Sequence, residues 1–84
     1  MKATVLVRPK HGILDPQGEA VATALGHLGF QVATARVGKV IDLDVEAPDE
    51  AAARTEVERM CRQLLANQLI ESYDVVIHAG GDGD

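Results

Sequence analysis

At 84 residues the chain has room for one small domain, and thirteen acidic against eight basic residues leave it a net charge of −5. One Phe, one Tyr, no Trp and no basic stripe argue against nucleic-acid binding, which calls for cationic surface and stacking aromatics. No apolar run of ~18 residues or basic amphipathic helix points to a membrane, the N-terminus lacks the apolar stretch of a signal peptide, and the single Cys61 excludes an intrachain disulfide, so a soluble cytoplasmic protein is expected.

Residues 2–8 are apolar with a period of two, Ala3, Val5 and Val7 pointing one way and Thr4 and Leu6 the other, which reads as a strand. After a loop over 9–14, Asp15 followed by Pro16 is an N-cap with proline at the first helical position. This helix carries Val21, Leu25 and Leu28 on one stripe and stops at Gly29. Two strands are predicted next, over about 31–37 and 40–46, joined by a two-residue turn at Gly38-Lys39. Such a hairpin sets Arg36 opposite Ile41, Thr34 opposite Leu43 and Val32 opposite Val45. In the second of these strands Ile41, Leu43 and Val45 alternate with Asp42, Asp44 and Glu46, the pattern of a half-buried strand. Pro48-Asp49-Glu50 opens a second helix, with acids where the helix dipole favours them. Ala53, Val57, Met60, Cys61 and Leu64 make its inward stripe, Leu65 joins the core, and Asn67 is expected as a left-handed stop. Tyr73 to His78 is a last strand, followed by a polar Gly/Asp tail over 80–84 expected to be mobile.

The order β-α-β-β-α-β predicts an α+β sandwich, with two helices on one face of a four-stranded antiparallel sheet. A domain of this size buries only about 60–65% of its unfolded surface. Its other sheet face would show Leu6, Val37, Val40 and Val76, too apolar for open water, so sheet-mediated self-association is expected.

No catalytic constellation stands out. His11, His27 and His78 lie in a loop, a helix and a strand end without metal-ligand spacing, and Cys61 falls on an apolar stripe as a structural thiol does. Asp42, Asp44 and Glu46 share a solvated strand face. In Leu14-Asp15-Pro16-Gln17-Gly18 the cap and the proline explain a helix start, but Gln17 and Gly18 are surplus to it and suit contact with another chain. Arg36, placed by the hairpin on the same face as Ile41 and Leu43, would need an edge, a partner or an anion for its charge. The tail Gly80-Gly81-Asp82-Gly83 after Val75-Val76-Ile77 looks like the phosphate-binding turn of the NAD kinase and diacylglycerol kinase group. It lacks the following helix whose amides would hold a phosphate.

Three segments share one resemblance: Leu14-Asp15-Pro16-Gln17-Gly18, Arg36-Val37-Gly38-Lys39, and the run Met60-Cys61-Arg62-Gln63-Leu64-Leu65-Ala66-Asn67 continuing to Ile70-Glu71-Ser72-Tyr73. They resemble the PurS family, the small subunit of bacterial phosphoribosylformylglycinamidine synthase, over residues 2 to about 78, and they imply a PurS-like domain at 1–79. Gln68-Leu69 departs mildly from the family pattern, and so does the tail. The resemblance implies a ligase subunit of de novo purine biosynthesis without an active site or metal site of its own. It implies a dimer, with a tetramer as the next assembly, bridging a glutaminase subunit (PurQ) and an ATP-using synthetase subunit (PurL). This chain is then expected to bind no cofactor, while the complex uses ATP and Mg. Partner contacts fall at Asp15, Gln17, Gly18, Arg36, Gly38, Lys39 and Asn67. Two other readings differ in what they predict. A regulatory domain of the same element order requires a small-molecule cleft at a dimer interface, and a truncated kinase-like binder requires ATP binding that depends on the tail.

Overall fold

The computed structural model describes residues 1–78. The expected mobile tail over 80–84, and the nucleotide-binding reading that rests on it, lie outside the described residues. The elements are β1 (Lys2–Pro9), α1 (Pro16–His27), β2 (Lys39–Asp44), α2 (Glu50–Met60) and β3 (Glu71–His78), with a π-helical turn at Cys61–Leu65 directly after α2.

β1 is the middle strand of an antiparallel sheet ordered β2-β1-β3, with Ala3, Val5 and Val7 buried on one of its faces. Register pairs Val5 with Ile41 on one side and with Val75 on the other, so Ala3, Val5, Val7, Ile41, Leu43, Tyr73, Val75 and Ile77 share one face. Val57 and Cys61 pack on that face, and Ala3, Val5, Val7, Val57 and Cys61 are each at most 1% exposed. Each such valine side chain removed from water contributes about 1.5–2 kcal/mol.

Both helices start as their sequences dictate. The Asp15 carboxylate accepts from the Gly18 amide ahead of Pro16, and the Asp49 carboxylate accepts from the Ala52 amide. Gly29 takes φ +97°, the left-handed turn after α1, and the Phe30 amide donates back to the Leu25 carbonyl.

Five expectations are corrected. Among the described residues the sheet has three strands, not four: 31–37 forms no strand, and β2 pairs with β1, Lys39 opposite Val7. The Gly38-Lys39 hairpin is therefore absent. Gly38 is instead a close-approach position, where a Cβ would run into the Val7 carbonyl. Long β1, with buried Ala3, Val5 and Val7 along one face, competes for the β2 edge better than the short return segment does. Second, Arg36 and Val37 lie outside the sheet, so only Leu6, Val40 and Val76 of the expected outer apolar face share it. Third, α2 and the π-turn that follows it cover the core face, without α1. Among the described residues α1 packs substantially on no strand and no helix, and Val21 and Leu28 stand 42% and 73% exposed.

Fourth, Leu64 is 83% exposed. The π-turn closes with an Ala66 amide to Cys61 carbonyl bond, and the extra residue in that turn rotates the stripe, so Ala66 is buried in its place. Fifth, Asn67 is not left-handed, since the only positive φ values among the described residues belong to Gly12 and Gly29. Its side-chain oxygen accepts from the Leu69 amide, an Asx turn that reverses the chain without αL geometry.

Candidate functional site

The sheet register draws the three sequence segments to one end of the molecule. Pro9, the last residue of β1, faces Glu71, the first of β3, while Lys39, the first of β2, faces Val7. The loop that follows β1 is tied to the loop that precedes β3. The Lys10 amide donates to the Ile70 carbonyl at 2.9 Å, and its ammonium to the Gln68 carbonyl at 2.6 Å.

Asp15 is the knot of this end. One carboxylate oxygen accepts from the Gly18 amide at 3.0 Å and the other from the Val37 amide at 2.9 Å, so the start of α1 is bound to the segment that leads into β2. These amides, Val37 first and Gly18 second, hold the Asp15 carboxyl below the ordinary carboxylate range, with the Arg36 charge a lesser contribution. Gly18 is buried because the Ala35 carbonyl sits where a Cβ would go. Asp15, Gly18 and Gly38 thus hold the local backbone together.

Gln17, Arg36 and Lys39 are exposed at the same end, and Asn67 is exposed at its Asx turn. Among the described residues neither Arg36 nor Lys39 forms an ion pair. The seven residues therefore divide into three that shape the backbone and four whose side chains face outward.

The structure adds residues that sequence reasoning missed. Leu14, Leu64 and Leu69 are 73%, 83% and 84% exposed, and Ile13 and Ile70 also reach solvent, all within the two joined loops and the π-turn. Lys10, His11, Arg36, Lys39 and Arg62 lie exposed in these same segments, a basic fringe on an acidic chain. The available signal was the pairs Leu64-Leu65 and Leu69-Ile70, which cannot both point inward from one turn. Exposed apolar side chains with a polar fringe suit contact with another protein, and nothing among them resembles an acid–base or nucleophilic pair.

Cys61 is fully buried, and desolvation first, with the Glu58 charge adding to it, pushes its thiol pKa up, which disfavours the reactive thiolate. On the far sheet face the Thr4 hydroxyl donates to Asp42 at 2.8 Å and lies 2.8 Å from His78 Nε2. With its proton on Asp42, the Thr4 oxygen accepts from histidine and is not activated as a nucleophile.

Residues 2–79 match the PurS family, described as phosphoribosylformylglycinamidine (FGAM) synthase. The chain belongs to the PurS family. A phosphoribosylformylglycinamidine synthase subunit PurS from Synechocystis is 50% identical over 70 residues, covering 82% of this chain and 68% of that one. The PurS subunit of Methanocaldococcus jannaschii is 40% identical over 77 residues, 90% of this chain and 93% of the relative. The crystal structure of that M. jannaschii PurS, one of the subunits of formylglycinamide ribonucleotide amidotransferase, aligns at TM-score 0.79 over 89% of this chain and 92% of that chain, at 41% identity. A chain in the structure of PurLQS from Thermotoga maritima aligns at TM-score 0.82 with 34% identity, over 89% of this chain and 93% of its own. The purS subunit of T. maritima bears the ligase number EC 6.3.5.3, and family membership accounts for the fold.

Proposed function

We propose that this chain is the non-catalytic small subunit of a phosphoribosylformylglycinamidine synthase, joining a glutaminase subunit (PurQ) to a synthetase subunit (PurL). The observation that carries the reading is its likeness, at TM-score 0.82, to a chain of the T. maritima PurLQS assembly. The surface agrees with it. The end where the three segments meet presents an apolar platform with a basic fringe and no catalytic side-chain pair, as a docking subunit requires.

In this reading PurQ releases ammonia from glutamine, and PurL uses ATP with Mg to activate the amide oxygen of formylglycinamide ribonucleotide. Ammonia then displaces the activated oxygen, giving the amidine. This chain supplies no group to either reaction. Its contribution is proximity: free ammonia is protonated and diluted in water, and holding two sites together raises its effective concentration and shields it from solvent. Leu14, Leu64 and Leu69 provide buried area on docking, while Gln17, Arg36, Lys39 and Asn67 supply directional contacts. The chain works in the cytoplasm as a dimer able to pair into a tetramer. In the tetramer, Leu6, Val40 and Val76 on the outer sheet face are covered.

The test is reconstitution. Glutamine-dependent formation of formylglycinamidine ribonucleotide is measured with PurL and PurQ, with and without this chain. A strong increase on its addition is expected, with no glutamine or ATP hydrolysis by the chain alone. Full activity of PurL with PurQ in its absence overturns the reading.

A further inference from the structure

Charge is unevenly placed along this chain. The stretches 9–18, 35–39 and 61–71, which supply the end where the sequence segments meet, carry four cations, Lys10, Arg36, Lys39 and Arg62, against two acids, Asp15 and Glu71. The rest of the chain carries four cations against eleven acids. The contact end of an acidic protein is therefore net positive, and it is also where Leu14, Leu64 and Leu69 stand in solvent.

The two sets of cations differ in what they touch. Away from this end Lys2 pairs with Asp44, Arg8 with Asp74 and Arg59 with Glu56, at 3.1–3.5 Å, while Arg54 donates to the Val75 carbonyl. At the contact end no Lys or Arg pairs with an acid among the described residues. The two acids there are bound to backbone instead: Asp15 accepts from the Gly18 and Val37 amides, and Glu71 from the Asn67 amide at 2.7 Å. Lys10 donates to the neutral Gln68 carbonyl, which leaves its charge uncompensated. The Gln68 side chain in turn donates to the Arg62 carbonyl at 3.3 Å, so Lys10, Arg62 and the neighbouring Leu69 belong to one bonded cluster of loops. Exposed ion pairs contribute little to stability, so the fold loses little by leaving these four cations unpaired.

We propose that this end is a positively polarised docking face, and that the large-subunit surface receiving it presents carboxylates around apolar hollows for Leu14, Leu64 and Leu69. The inference rests on the subunit reading above and adds the chemistry of the partner surface. Two features favour a protein over a nucleic acid: leucines stand among the cations, and the three stretches hold no Phe, Tyr or Trp to stack on a base. Polarity also sets orientation. An acidic surface repels the rest of the chain and attracts this end, so the encounter is steered before the leucines make contact. Charge then governs the rate of association, and burial of the leucines governs the rate of release.

Association kinetics test this. Wild type is captured on a sensor, and PurL or PurQ is passed over it at about 50 and about 500 mM salt, the higher of which screens exposed charges. Lys39→Glu with Arg62→Glu reverses two exposed charges of the contact end. Lys2→Glu with Arg59→Glu makes the same change in net charge elsewhere, and Lys39→Arg with Arg62→Lys keeps the charge while altering the side chains. Melts check that each variant folds, and the salt dependence of the wild type requires no variant. For at least one large subunit, the wild-type association rate is expected to fall about tenfold or more across the salt range, and contact-end reversal to slow association by a similar factor at low salt. The distant reversal is expected to change it less than about threefold, and the charge-keeping pair to follow wild type. A rate that ignores salt, or that the two reversals slow equally, overturns the acidic partner surface and leaves the subunit reading standing. So does tighter binding of a random-sequence RNA than of either subunit at low salt, lost on contact-end reversal, which would give this face to nucleic acid. A wild type that binds neither large subunit overturns both.

Discussion

Replacing Gly18 by alanine puts the junction of α1 with residues 35–37 under a direct test. Alanine is the better helix former by up to about 1 kcal/mol in a helix interior, so on propensity alone the variant gains stability. The structure reverses that sign. A Cβ at residue 18 would stand 2.6 Å from the Asp15 carboxylate and 2.9 Å from the Ala35 carbonyl carbon, with the Ala35 oxygen closer still. Two of these atoms are backbone of a segment bonded to Asp15, so relief requires α1 and residues 35–37 to separate and the Val37 amide to give up its acceptor. Overpacking of this kind costs about 1–3 kcal/mol, which leaves a net loss of about 1–2 kcal/mol after the propensity gain. For a domain of this size that corresponds to a melting temperature lower by roughly 5–15 °C. Gly26→Ala is the internal control, since nothing lies within 4 Å of its Cβ position, and that variant should be stabilised by up to about 1 kcal/mol. Thermal and urea melts of both variants settle the matter. If Gly18→Ala melts at or above wild type, the close approach to Ala35 is wrong.

Asp15, its carboxyl depressed by the Val37 and Gly18 amides, contributes stability above its unfolded pKa that is lost as pH falls through the folded value. The melting-temperature advantage of wild type over Asp15→Asn should therefore be greatest above about pH 5 and shrink below about pH 4. Asp44, depressed chiefly by Lys2, titrates in the same window and is common to both proteins. An advantage that does not change with pH refutes the charge argument. Cys61→Ala should cost roughly 1 kcal/mol in a urea melt while leaving reconstituted turnover intact, and loss of turnover in a folded, assembled variant would give the thiol a chemical role. The double change Arg36→Ala with Lys39→Ala should leave the melt nearly unaltered, since both side chains are exposed, and weaken association with PurL or PurQ or self-association. Unchanged affinities and an unchanged oligomer mass would reduce both to solvated charges. Leu64→Ser with Leu69→Ser should likewise spare the fold, both being more than four-fifths exposed, and weaken large-subunit binding on the order of tenfold, about 1.4 kcal/mol, read by titration calorimetry. Undiminished binding would move the contact surface elsewhere.

The local elements were written in the sequence where neighbours along the chain decide the geometry. Asp15-Pro16 and Pro48-Asp49-Glu50 start their helices through bonds spanning three residues, Gly29 ends α1 because it alone adopts that φ at no cost, and Ala3, Val5 and Val7 alternate as any half-buried strand must. The family was legible too, because the three segments that mark it are contiguous. Pairing was not. Whether β2 joins residues 31–37 or β1 is a competition between a short local turn and a long apolar strand over thirty residues away, and only the folded sheet settles it in favour of β1. The exposure of Leu64 turns on one extra residue in a π-turn, which no apolar periodicity announces. Gly18 and Gly38 read as a partner-contact glycine and a hairpin glycine until tertiary contact set carbonyls against both. The contact end, likewise, exists only because register brings Lys10 to Ile70 and Asp15 to Val37, residues whose separation along the chain hides that they meet.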